Sequence, residues 1–80
     1  MIEKRTAPRQ RILKHGTLAF REGGGVDCTV RNISSKGARL DIASPVGIPP
    51  SFTLVIEADR FARPCHSVWR SATRIGVVFD

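Results

Sequence analysis

A two-residue hydrophobic period that repeatedly stops and restarts constrains this chain more than any other feature. Ala38, Leu40 and Ile42 alternate with Arg39 and Asp41. Successive side chains of a strand point to opposite faces, so this stretch reads as a strand with one dry face and one wet face. Phe52, Leu54 and Ile56 repeat the pattern, as do Ile75, Val77 and Phe79. Val26, Cys28 and Val30 also share one parity. No segment sustains a 3.6-residue period, so helices are not expected to build the core.

Turn chemistry separates these stretches. Arg21-Glu22-Gly23-Gly24-Gly25 holds three consecutive glycines, which reach positive φ without steric cost. Asn32-Ile33-Ser34-Ser35-Lys36-Gly37 is a polar turn, with Gly37 able to adopt the left-handed conformation. A loop rich in proline and glycine runs from Ser44 to Pro50, and the chain turns again between Glu57 and Phe61 and at Ser71-Ala72. The resulting strands are 10–20, 26–33, 38–42, 52–56, 62–70 and 75–79. In the first, Ile12, Leu18 and Phe20 share a parity that Leu13 breaks, so a bulge is expected there. Pro64 marks the start of the fifth as an edge. Phe20, Phe52 and Phe79 fall on inward parity and are expected in the core. Six short strands indicate an antiparallel barrel, whose closure removes exposed edges. Residues 1–9, with Pro8 and a polar composition, read as an arm preceding a barrel of residues 10–80.

With 80 residues the chain is one small domain, too short for a Rossmann or α/β-barrel enzyme. No paired carboxylates, Gly-x-Ser-x-Gly elbow, P-loop or triad is apparent, so an enzyme is not expected. No apolar run approaches the ~20 residues of a membrane span. The basic opening lacks the apolar core of a signal peptide, so a cytoplasmic location is expected. Cys28 and Cys65 are expected to be reduced and buried. With His15 and His66 they lack zinc-ligand spacing, and no metal site is expected.

The net charge is +6, and ten of the 13 cations are arginines. Lys4, Arg5, Arg9, Arg11 and Lys14 crowd the first fourteen residues, against one acid, Glu3. Such an arm suits an anionic partner, or is simply a solvated tail. Single-strand-binding barrels set aromatics beside cations, whereas the arm here has no aromatic, so nucleic acid is not the expected partner.

Two motifs remain: Arg5-Thr6-Ala7-Pro8-Arg9, with arginines four apart, and Asn32-x-Ser34-x-x-Gly37. Each alone is ordinary, the second because Asn, Ser and Gly are common turn residues. In this order, followed by Val68-Trp69-Arg70 and Ile75-Gly76-Val77-Val78-Phe79, they resemble the PilZ domain family over almost the whole chain. The resemblance implies a six-stranded antiparallel Greek-key barrel with a flexible basic N-terminal arm. It also implies a bacterial second-messenger receptor for cyclic di-GMP. By family analogy, Arg5 and Arg9 are the arm arginines, and Asn32, Ser34 and Gly37 form the barrel side of the site. Lys4 occupies a position that bears on ligand stoichiometry in the family. Arg11 and Arg31 are secondary candidates for phosphate attraction, or else solvated strand residues. Trp69 is a candidate stacking group, or else packs at the rim. A downstream protein partner is expected. The alternative is a degenerate family member that binds no nucleotide and acts as a protein-interaction module.

Overall fold

The computed structural model describes residues 10–80, with side chains from Leu13 onward. Six strands form a closed antiparallel barrel: β1 (Gln10–Ala19), β2 (Gly25–Ile33), β3 (Gly37–Asp41), β4 (Ser51–Ile56), β5 (Phe61–Arg70) and β6 (Arg74–Phe79). A 3-10 turn, Glu57–Asp59, joins β4 to β5. Around the barrel the order is β1-β2-β3-β6-β5-β4. The chain therefore leaves β3 and crosses one mouth to reach the far side, where β4 pairs with β1 and β5. This crossing makes the barrel a Greek key.

The alternating residues meet inside, as the period predicts. Leu18, Val30, Leu40, Leu54, Cys65 and Ile75 are fully buried, and Cys28, Phe52, Ile56, Val77 and Phe79 complete the centre. Burying a Leu, Ile or Phe side chain contributes about 1.5–3 kcal/mol, so this contiguous core is what stabilises so short a chain. Both cysteines are free and buried. Chiefly through burial, the Cys28 thiol is pushed up to about 12 and the Cys65 thiol to about 11, so both stay protonated at neutral pH.

Phe20 departs from expectation. It is half-buried and packs against the edge of the core, because β1 ends at Ala19 and Phe20 already belongs to the turn. Its N–H donates to the Gly24 carbonyl at 3.0 Å and its carbonyl accepts from Gly23 at 3.1 Å. Gly23 and Gly24 take φ of 102° and 77°, the positive angles that the glycine run permits.

The seam between β1 and β4 is short, with Thr17, Leu18 and Ala19 facing Val55, Leu54 and Thr53. Beyond it, Lys14 Nζ and Asp59 Oδ2 pair at 2.7 Å and tie β1 to the 3-10 turn. At the crossing mouth, Ile48 is buried as a plug. The Arg70 guanidinium reaches over from β5 and donates to the carbonyls of Ile48 at 2.8 Å and Pro49 at 2.7 Å. Pro64 sits where expected. Residues 61–64 pair with β4, and the β5–β6 ladder begins only at Cys65, so the missing proline N–H costs no ladder bond.

Candidate functional site

Three register shifts position the outer face. The first, between Arg11 and Lys14 of β1, is the bulge that Leu13 announces, and Leu13 is exposed. The second lies between Val30 and Asn32 of β2, and the third between Ser67 and Trp69 of β5. The second re-aims a functional side chain. Val30 faces Leu40 in the core, and simple alternation would send Asn32 inward as well. The extra residue, Arg31, instead sets Asn32 opposite Arg39, a residue of the outer face. Ile33 then faces Ala38 and packs on the core. Among the described residues Asn32 is the one buried polar side chain.

The register partners Arg11, Asn32, Arg39, Gly76 and Trp69 consequently form one line across β1, β2, β3, β6 and β5. Neighbouring strands are about 4.8 Å apart, so the line spans about 19 Å of backbone. Over it lies a groove of about 480 Å³. Asn32, Ser34, Lys36, Gly37, Arg39 and Trp69 line it, flanked by Val68 and Val78. Among the described residues, two cations and no carboxylate stand in that lining.

The β2–β3 hairpin is held by its own side chains. Ser34 Oγ accepts the Lys36 N–H at 3.2 Å, and the Ser34 N–H donates to the Gly37 carbonyl at 2.9 Å. Gly37 corrects the expectation of a left-handed turn. Its φ is not among the positive ones, which belong to Gly23, Gly24 and Gly47 among the glycines. Glycine is needed there for space, because a Cβ would collide with the Val77 carbonyl of β6. Gly76 serves the site in a similar way. A Cβ there would overlap the Trp69 indole, which therefore lies directly against the β6 backbone. Packed this way, Trp69 is still 45% exposed beside the groove.

The expected residues thus divide into groups. Asn32, Ser34, Gly37 and Trp69 come together in the groove. Arg31 does not line it; its Nη1 pairs with Asp41 Oδ2 at 3.0 Å, and Arg74 Nε stands 3.7 Å from the other carboxylate oxygen. Arg11 is placed by register beside Asn32. Lys4, Arg5 and Arg9, with the arm of residues 1–9, lie outside the described residues. Arg39 and Lys36 join the groove without having been singled out. Alternation already put Arg39 on the wet face, but only the alignment of four strands makes that face a site. A larger groove of about 770 Å³, at another place on the barrel, is lined by Phe20, Ile48, Pro49 and Phe52 with Arg21, Glu22 and Asp80 of mixed sign, and gathers none of these residues.

Fold and groove define a small closed β-barrel presenting a cationic, indole-flanked cleft on its outer surface. A comparison with protein-family models matches residues 3–80 to the PilZ domain. The chain belongs to the PilZ domain family, a family of binding modules that are generally cyclic di-GMP receptors. The search of curated proteins returned no match. Among the described residues no helix is long and apolar enough to cross a membrane.

Proposed function

We propose that this chain is a cyclic di-GMP receptor and adaptor, acting in the cytoplasm of a bacterium through the groove on the β2–β3 hairpin. One observation carries this reading. Asn32, Ser34, Gly37 and Trp69 share one cleft in which the described residues supply two cations and no carboxylate. The ligand has two phosphates and two guanines. Cations meet the phosphates, the Trp69 face suits a purine, and the short Asn32 and Ser34 side chains supply oriented hydrogen bonds from a rigid barrel. An arm of residues 1–9 would add Arg5 and Arg9 from the open side, because arginine forks onto phosphate or onto guanine O6 and N7. Each backbone residue fixed on binding costs about 1–2 kcal/mol, so the arginine contacts must outweigh whatever is fixed. The occupied groove would then present a changed surface to a downstream protein.

Isothermal titration of the full chain with cyclic di-GMP, with GTP as control, tests the reading. Binding of the cyclic dinucleotide alone, at about 10 μM or tighter, is the expected result. Arg5→Ala and Arg9→Ala should each weaken it about tenfold or more, the effect of losing a charge-assisted hydrogen bond of about 1.5–3 kcal/mol. Absence of heat from the wild type favours the second reading, a protein-interaction module without nucleotide. The exposed Val68 and Val78 beside Trp69, 54% and 37% accessible, are the feature that favours it.

A further inference from the structure

We propose that Arg39 is a ligand-binding residue of this groove, holding a phosphate of the nucleotide from the barrel side. The inference rests on the receptor reading above and adds to it a residue outside both sequence motifs. Arg39 lies at the centre of the five-strand line, with Asn32 on one side and Gly76 on the other. Neither neighbour carries charge. The Trp69 indole, covering Gly76, is therefore the next surface along the line. A base resting on that indole would have the β3 backbone about two strand spacings away, within reach of an extended arginine side chain.

Among the described residues Arg39 makes no ion pair, unlike Arg31 and Arg74. Asp41, two residues along the same face, is taken by Arg31 and Arg74. Asp27 faces His15, Asp59 pairs with Lys14, and Asp80 with His66. Among the described residues no carboxylate lies within ion-pair distance of Arg39, and its guanidinium covers no aromatic ring, the one such contact being Arg63 over Phe79. Arg39 is exposed and lines the cleft beside the buried Asn32 amide, where a bound anion would meet it. Arginine pairs with phosphate through two parallel N–H···O bonds, and Lys36 at the hairpin adds a second positive charge to the groove.

Titration calorimetry of the full chain with cyclic di-GMP, comparing wild type with Arg39→Ala, Arg39→Lys and Arg31→Ala, tests the assignment. All the changed side chains are exposed, and circular dichroism checks that each variant is folded. Arg39→Ala should weaken binding about tenfold or more, while Arg39→Lys, which keeps the charge but loses the two-pronged fork, should bind more weakly than wild type and more tightly than Arg39→Ala. Arg31→Ala, whose charge already pairs with Asp41 outside the groove, should stay within about twofold. Equal losses from Arg39→Ala and Arg31→Ala would overturn the proposal, since a diffuse positive field would then explain both. Arg39→Lys binding as weakly as Arg39→Ala would overturn the assignment to phosphate. A wild type that binds while Arg39→Ala binds equally well removes this inference alone. A wild type that takes up no ligand at ~1 mM removes it together with the receptor reading.

Discussion

A methyl group added at Gly76 would occupy space now filled by the Trp69 ring, whose Cδ1 would lie 2.8 Å away. The ring is the movable partner, so Gly76→Ala should push the indole off β6 rather than disrupt the barrel. Alanine also relieves the entropic cost of glycine in a strand, so stability should change by no more than about 1 kcal/mol. Tryptophan emission should shift to the red, since Trp69 is the chain's one tryptophan, and cyclic di-GMP affinity should fall with it. Unchanged emission would mean that the indole does not depend on this seat. Gly37 makes the opposite case, because the obstacle there is the Val77 backbone carbonyl, which cannot swing aside. Neither requirement is local. Gly37 looks like an ordinary turn glycine in sequence, and its constraint comes from a strand some forty residues later.

Elements place these residues more finely than alternation does. The β1 bulge was legible because Leu13 breaks the parity of Ile12 and Leu18. The β2 bulge was not, because Val26, Cys28, Val30 and Asn32 continue one parity without interruption. An extra residue is defined by the register of the partner strand, and the asparagine closing an apolar series was its only trace. The β3–β4 crossing depends on a distant partner in the same way. Arg70, adjacent to Trp69 on β5, fixes that loop through the Ile48 and Pro49 carbonyls and receives a further contact from Ser67 Oγ, which accepts from Nε at 3.2 Å. Arg70→Ala should cost about 1.5–3 kcal/mol in urea unfolding, because charged hydrogen bonds are lost and two carbonyls are released. A midpoint equal to that of the wild type would show that the Ile48 plug holds the loop without it.

At the scale of the molecule, closure turns six marginal strands into one core and leaves the outer surface free for binding. The number of strands, their parity and most of the inward residues could be read from the period-two runs. Neither the ring order β1-β2-β3-β6-β5-β4 nor the groove could, because both depend on which strands become neighbours. On the proposed function, one cleft built by β2, β3, β6 and β5 receives the cyclic dinucleotide. A two-dimensional ¹H–¹⁵N NMR titration of the full chain with cyclic di-GMP tests it most directly. The amides of Asn32, Ser34, Gly37, Arg39 and Gly76 and the indole Nε1–H of Trp69 should move together, while Phe20, Gly47 and Thr53 around the larger groove stay in place. Shifts confined to the larger groove, or none at ~1 mM ligand, would contradict it.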